Sequence, residues 1–448
     1  MTPLRERQLA LKVDRPTKLH VGFGARVVGP GEGRVTFELV AQKGTEETRL
    51  IHETVSVTKK SSAWHDRLVD LRPWVGEGVK LTFSIRPHTT HEHLTAAWST
   101  PYPTSPPASV ASRPHVILIS LDTLRADHLS GWGYRRLTSP YIDALAQQGT
   151  RFSNHWSTAN WTLPSHMSML TGRYAFNHLV GLKVGGIKKA RINLLDPAIP
   201  TLAEILKEQG YVTIAVTGGG WVSPEWFKRG FLRYRASKKG HRELPWDLEE
   251  KLEAVRRLLE SHESERLFLF FHTYNPHMPY LGRFFLQDER IPATRRELRK
   301  PYPNVVVAKA LYDGDIKITD EYIGLLLQLL DKKGILHNSI LVLTSDHGEA
   351  FGEHGQRLHH VTFFDEELYV PLILVYPARV PADRTVENLT RGVDITPTIL
   401  DLLDISPPAP LDGKSLLPFI KGHGGDHRTV LIDSEGRWKY TGAKALRT

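Results

Sequence analysis

The chain has no cysteine. That excludes thiolate catalysis, zinc fingers, iron–sulfur ligation and disulfides together, and leaves Asp, Glu, His and hydroxyl oxygens as the available metal ligands. It also lacks any stretch near the roughly 20 apolar residues that span a bilayer; its longest apolar runs are strand-sized, so no transmembrane segment is expected. The start, Met1-Thr2-Pro3-Leu4-Arg5-Glu6-Arg7, carries charge where a secretory signal is apolar. A cytoplasmic location is therefore expected, or a periplasmic or secreted one if the amino terminus has been trimmed. Internal repeats and low-complexity tracts are absent as well. The basic run Arg295-Arg296-Glu-Leu-Arg299-Lys300 has no interleaved aromatics and reads as solvated surface, so nucleic acid is not an expected partner. An excess of 58 Lys and Arg over 49 Asp and Glu gives +9 on 448 residues, a mild imbalance that suits a small anionic substrate. At 40% apolar and 24% charged residues, the chain is an ordinary globular one of two or three domains.

Two kinds of pattern divide the sequence. From about Val13 to Ile85, short alternating segments (Arg34 to Val40, Glu53 to Val57, Val79 to Ile85) separated by glycine-rich turns predict a small antiparallel β-sandwich-like module over residues 1–100. Pro101 to Pro114 holds five prolines and reads as a linker. From 115 to 448, apolar runs (Val116 to Ile119, Val212 to Val216, Leu267 to Phe271, Ile340 to Leu343, Leu372 to Val375) alternate with helical patterns. These are the marks of buried parallel strands crossed by helices, an α/β domain. Thr201 with Glu204 forms a capping box before Ile205-Leu206, and Ser139-Pro140 opens a helix that Gly149 ends.

Ligands of such sheets collect where strands deliver their carboxyl ends, and three candidate segments lie there. Asp122 follows the run Val116 to Ser120, and Asp346-His347 follow Ile340 to Thr344 in the same way. Taken singly, an aspartate after a strand is a cap or turn residue. Its recurrence at two strand ends, once beside a histidine, makes a divalent metal site the competing reading, with Mn, Ca, Mg or Zn as the ions such ligands suit. The third segment is Trp161-Thr162-Leu163-Pro164-Ser165-His166, ending at Gly172. Pro164 fits a first helical position, so a helix is predicted just after Thr162, with its N-terminus open to a tetrahedral oxyanion. His166, four residues on, can share that face. Thr162 is either the helix cap or a nucleophile whose hydroxyl a cation activates.

Asp122-Thr-Leu-Arg-Ala-Asp-His-Leu129, the Thr162-to-Gly172 segment, and Thr344-Ser-Asp-His-Gly-Glu349 with Gly352-Glu-His-Gly355 resemble, in sequence, order and spacing, the sulfatase family of the alkaline phosphatase superfamily. The resemblance runs from about Pro114 onward, roughly three quarters of the chain. It implies an alkaline-phosphatase-like α/β sandwich with a mostly parallel sheet, one divalent metal ion at its carboxyl edge, and a covalent intermediate in sulfuryl or phosphoryl transfer. On the matching positions, Asp122, Asp346 and His347 would bind the metal, Thr162 would be both nucleophile and ligand, and His277 and His359 would approach the substrate oxyanion or leaving group. His166 stands where the family has arginine.

The departures are as informative. Family sulfatases carry Cys or Ser at the nucleophile position and convert it to formylglycine. Threonine is not expected to yield that aldehyde, and threonine nucleophiles belong to phosphodiesterases, phosphonate-type hydrolases and lipid phosphotransferases of the superfamily. The usual paired acids after the first strand are reduced to Asp122-Thr123. The expected activity is thus metal-dependent hydrolysis of a sulfate or phosphate ester, phosphoester or phosphodiester hydrolysis favoured, on a small anionic substrate that a glycan or lipid can carry. Transfer to an alcohol acceptor, with Trp221 and Trp226 near Gly218 as a suggestive acceptor wall, and non-catalytic binding of anionic glycans or lipids are the alternatives. Asp412-Gly-Lys-Ser415 ends like a phosphate-binding loop, but Pro408 occupies the required upstream glycine position. Gly218-Gly-Gly220 is a turn that could admit a substrate close to the backbone. His272 and His354 stand near motifs without an assigned role. Ala443 to Thr448 looks like the opening of a carboxyl-terminal sheet cut short.

Overall fold

The computed structural model describes residues 5–14, 17–27, 32–58, 63–88, 94–98, 101–104, 113–181, 183–184, 191–240, 247–263, 265–287, 304–360, 362–423, 429–434 and 443–447. They form two compact units, Met1–Ala111 and Ser112–Thr448. The basic run 295–300 and most of the proline-rich stretch lie outside the described residues.

The first unit is built from β1 (Arg5–Val13), β2 (Lys18–Val27), β3 (Glu32–Lys43), β4 (Glu46–Thr58), β5 (Ala63–Asp70), β6 (Glu77–Pro87), β7 (Leu94–Trp98) and β8 (Tyr102–Thr104). One antiparallel sheet has the order β1-β6-β3-β4; in the other, β5, β7 and β8 all pair with β2. Alternation along β3 puts Val35, Phe37, Leu39 and Ala41 in the core beside Phe23, Leu81 and Phe83, as a two-sided strand requires. Tyr102–Thr104, read from its prolines as linker, is instead paired to β2 as a short strand. Proline is tolerated at such an edge because the missing N–H costs no ladder bond there.

The second unit is an α/β domain. Its chain order is β9 (His115–Leu121), α1 (Pro140–Gln147), β10 (Thr150–Phe152), α2 (Thr162–Thr171), α3 (Leu202–Glu208), β11 (Val212–Thr217), α4 (Pro224–Phe227), β12 (Arg233–Ala236), α5 (Asp247–Glu260), β13 (Leu267–Thr273), α6 (Val305–Lys332), β14 (Ser339–Thr344), β15 (Leu372–Val375), β16 (Arg384–Val386), α7 (Ile395–Leu402), β17 (Val430–Ser434) and β18 (Ala443–Arg447), with shorter elements between. Eight strands make the main sheet in the order β12-β11-β13-β9-β14-β15-β10-β16. The first five run parallel. All residues of β9, β11, β13 and β14 are buried, which is why their sequence is continuously apolar rather than alternating. The sandwich core joins Ile117, Ile119 and Leu121 to Tyr312, Ile316 and Ile323 of the long helix α6. Burial of each such aliphatic side chain is worth about 1.5–3 kcal/mol.

Local signals set the helices. The Thr201–Glu204 capping box is formed in both directions, and α1 starts with Pro140 at its first turn and stops before Gly149. One expectation is corrected: β15 was expected parallel but pairs antiparallel with both β14 and β10. A short run buried on both faces reads the same in either direction, so its pattern carries no polarity. Near the carboxyl end, β17 and β18 pair into an antiparallel two-stranded sheet. Among the described residues no helix is long and apolar enough to cross a membrane.

Candidate active site

The register of the central strands brings the three segments together. Thr344 of β14 lies opposite Ser120 of β9, and His272 of β13 is opposite Ser120 on the other side. Asp122 and Asp346 therefore leave the sheet from neighbouring strands at the same edge. Donor atoms of Asp122, Asp346 and His347 all lie within 4.8 Å of one another, and all three residues are fully buried. Thr162 Oγ1 is 3.4 Å from Asp122 Oδ2 and 3.4 Å from His347 Nε2. Four donor atoms thus converge from three distant parts of the chain.

Each is held by its surroundings. His347 Nδ1 donates to the Gly348 carbonyl at 2.9 Å, which fixes the tautomer and turns the Nε2 lone pair toward Asp346 Oδ2 at 3.3 Å. Asp346 Oδ1 accepts the N–H groups of Thr123 and His347, and its carbonyl accepts from the hydroxyls of Ser157 and Ser165. Gly348 permits this loop to press on the chain beside it: a Cβ there would sit 2.1 Å from the Glu366 carbonyl oxygen. Asp122 Oδ1 and Asp346 Oδ2 are buried with no hydrogen-bond partner. Two orphaned carboxylate oxygens facing an imidazole lone pair repel one another unless a cation sits among them, so these residues fit a divalent metal ion. Burial, and then the neighbouring Asp346 charge, pushes Asp122 well above the usual carboxylate range; burial raises Asp346 as well. Burial, then His359, holds His347 well below an ordinary imidazole.

Thr162 is the first residue of α2, with Trp161 as the extended N-cap, so the helix starts at Thr162 itself and not just after it, and Pro164 stands at its third position rather than its first. Gly172 closes it in the left-handed region at φ 64°. His166 follows on that first turn, its Nδ1 3.5 Å from Asp346 Oδ2. Its Nδ1 donates to the Thr162 carbonyl at 2.8 Å and its Nε2 accepts from Ser120 Oγ at 2.9 Å. Fully buried and held below its ordinary pKa by that burial, it braces the helix start against β9 and has no nitrogen left for an incoming anion. His272 fills a similar place behind Asp122: Nδ1 accepts the Gly218 N–H at 3.2 Å, so Nε2 carries the proton and points to Asp122 Oδ2 at 3.4 Å. The Gly218–Gly220 turn therefore also positions a metal-site carboxylate through a histidine.

His277 and His359 face each other across the opening, with ring centroids 5.0 Å apart. His277 Nδ1 donates to the Met278 carbonyl at 2.6 Å, and His359 Nδ1 to Glu349 Oε1 at 2.8 Å. Burial holds both near 3. Glu349 is a residue whose part sequence reasoning missed; it is fully buried, raised by that burial, and its Oε2 has no partner. Its position three residues after Asp346 was the available signal. Arg125, also missed, ties the two metal-site loops together by bonds to Asp127, Glu353 and the Glu349 carbonyl. His354 bonds Glu366 and stacks on Phe364, outside the cluster.

A cleft of about 490 Å³ opens over Thr162, His277 and His359 and is walled by Trp221, Trp226, Tyr274, Met278 and Glu225. Tyr274 hydroxyl donates to the Gly219 carbonyl and accepts the Trp221 N–H, which pins the tryptophan loop to the end of β13.

Comparison with known proteins agrees with this architecture. Residues 114–405 match the family model described as Sulfatase. Similar proteins include the multifunctional alkaline phosphatase superfamily protein PehA of Trinickia caryophylli, 25% identical over 410 residues, covering 71% of this chain and 80% of that one. An arylsulfatase of Clostridium perfringens is 25% identical over 389 residues, with 71% and 81% covered. Among solved structures, the phosphonate monoester hydrolase of Agrobacterium radiobacter shares the fold at a TM-score of 0.60 and 22% identity, covering 73% of this chain and 82% of its own.

Proposed function

We propose, since the chain belongs to the sulfatase family and is a hydrolase of sulfate or phosphate esters, that its reaction runs through Thr162 as the nucleophile, with phosphorus esters favoured as substrates. The observation that carries the proposal is Thr162 Oγ1 standing 3.4 Å from both Asp122 Oδ2 and His347 Nε2. Asp122, Asp346, His347 and that hydroxyl would hold a divalent cation, which would lower the hydroxyl's pKa and offset charge on the transferring oxygens. Thr162 Oγ1 gives up its proton toward Asp122 and forms a bond to phosphorus or sulfur while the bond to the leaving alcohol breaks. His277 and His359 line the opening where the alcohol oxygen departs; an anionic substrate raises their pKa, so either can hand over the proton the alcohol needs. Water then cleaves the ester on Thr162: its hydroxyl goes to phosphorus or sulfur and its other proton to the histidine that protonated the alcohol, while Asp122 returns its proton to Thr162 Oγ1. Threonine, which does not give formylglycine, supports the preference for phosphorus over sulfur, and the likeness to a phosphonate monoester hydrolase is consistent with it.

Thr162→Ala tests the assignment. Turnover of aryl phosphate, phosphonate and sulfate esters should fall to background, while metal affinity, still carried by two carboxylates and an imidazole, drops only modestly. An unaltered rate on a good aryl ester overturns it.

A further inference from the structure

The cleft over Thr162 is lined, among the described residues, by no lysine or arginine, although the chain carries 58 of them. Arg125, close in sequence to Asp122, spends its guanidinium on Asp127, Glu353 and a backbone carbonyl. A site for a substrate with several anionic groups would show such cations, whose forked or point charges match sulfate, phosphate and carboxylate. The cleft's described lining holds three histidines, His277, His359 and His360, beside Thr162, and one carboxylate, Glu225, with the indoles of Trp221 and Trp226. Glu225 is exposed on its rim, and no described cationic side chain pairs with it. Trp226 follows it in the chain, with Trp221 at 6.4 Å between ring centroids and 40° between planes. Trp161 stands perpendicular to Trp221 at 5.6 Å. Differently inclined indole faces beside a carboxylate make a box that attracts a cation, through the negative ring faces and through the charge. The same aromatic box would gain much less from a neutral alkyl group and would repel an anion at Glu225.

We propose that this cleft selects esters whose organic part carries a quaternary or protonated ammonium group, held by Trp221, Trp226 and Glu225 while the anionic ester head faces Thr162. The proposal deepens the reading of the site as an ester hydrolase and rests on it. A volume of about 490 Å³ suits such a small zwitterionic ester and lies in the usual range of small-molecule sites, about 300–1,000 Å³. Glu225 and Trp226 lie on α4, a single short turn after β11, so the element that would choose the substrate is separate from the strands that hold the reacting groups.

The test has a binding arm and a turnover arm, both on the full chain with Mn²⁺. Tetramethylammonium, followed by tryptophan fluorescence, should bind saturably, and Glu225→Gln and Trp226→Ala should each weaken it by about tenfold. Neopentyl alcohol, its neutral counterpart in shape, should not compete. Absence of saturable binding, or equal binding of the neutral compound, overturns the cation subsite. In the turnover arm, choline phosphate is compared with 3,3-dimethylbutyl phosphate by phosphate release. The ratio of their kcat/KM values should fall about tenfold in Glu225→Gln, and an unchanged ratio overturns the subsite while leaving the hydrolase intact. If neither ester is turned over but tetramethylammonium binds as stated, the preference for phosphate monoesters fails and the subsite stands.

Discussion

Asp346→Asn separates a metal site from a merely polar corner, because the two make opposite predictions for the metal-free protein. Donor atoms of Asp122 and Asp346 lie within 4.8 Å; ionising both carboxylates at that distance costs about 3 kcal/mol at an effective dielectric of 20, a cost the metal-free protein meets as repulsion or as the raised pKa of Asp122. The carboxamide removes that repulsion. It keeps Oδ1 as the acceptor for the Thr123 and His347 N–H groups and turns an N–H toward His347 Nε2, which faces Oδ2 at 3.3 Å. Unfolding entropy is about 2.1 cal/mol/K per residue, so over Ser112–Thr448 this gain raises the melting temperature by about 4 °C. In the wild-type chain, a metal at a hundred times its dissociation constant contributes about 2.7 kcal/mol, a comparable rise that the variant should mostly forfeit. Calorimetry at pH 8 in chelator and then in Mn²⁺ reads both. The variant should melt about 4 °C above the wild type in chelator, and that difference should close to near zero with metal. A variant that melts lower in chelator, or that metal stabilises as much as wild type, refutes the reasoning.

Two further outcomes follow from the same geometry. His272→Ala removes the Nε2 proton that faces Asp122 Oδ2, and outer partners of this kind are worth about ten- to a hundredfold in metal affinity; titration calorimetry should show at least a tenfold weaker Mn²⁺ constant, and an equal constant rejects the role. Asp320 accepts the N–H groups of Tyr141 and Ile142 at the start of α1, yet burial raises it from 3.8 to about 6. An acid raised on folding costs stability where it is ionised, fully above its folded pKa and not at all below its unfolded one. The wild type should therefore gain on Asp320→Asn by about 3 kcal/mol as pH falls from 7 toward 4, and parallel denaturation midpoints across that range refute it.

What was legible in the sequence is what short segments encode by themselves. The metal corner could be read because each of its pieces follows directly on a buried strand, so position along the strand and position at the sheet edge are one fact. The capping box at Thr201 is equally local. The first unit was read from about Val13, whereas its first strand begins at Arg5: Arg5–Val13 opens with four charged or polar residues and then runs Leu9-Ala10-Leu11-Lys12-Val13, an alternation too dilute to mark a strand until β6 pairs with it. The polarity of β15 could not be read from a run buried on both faces. His166 looked available to substrate because helical spacing puts it near Thr162; only the tertiary bond to Ser120 on β9 turns it inward. Trp221 and Trp226 were read as a wall near Gly218, but that Glu225 and Glu349 join the site depends on how β11, β13 and β14 lie side by side, which no single segment encodes.

The departure at Thr123 gains its meaning from that packing. Where the family usually continues with a second acid, this chain has a buried threonine at φ 58° whose N–H donates to Asp346 Oδ1 and whose hydroxyl has no partner. The position serves the metal corner through its backbone, and a carboxylate there would be a third fixed negative charge beside Asp122 and Asp346. Two carboxylates balance one divalent cation; a third would oppose any further anion in the cluster, including a deprotonated Thr162. On the proposed mechanism, a site that lacks one acid and places a hydroxyl 3.4 Å from Asp122 and His347 has room for the negative charge of a deprotonated Thr162. Thr123→Asp should accordingly bind Mn²⁺ more tightly by calorimetry while kcat falls, because added fixed charge raises the pKa of the Thr162 hydroxyl. If metal affinity and kcat rise together, the hydroxyl is not the charge the cluster was short of.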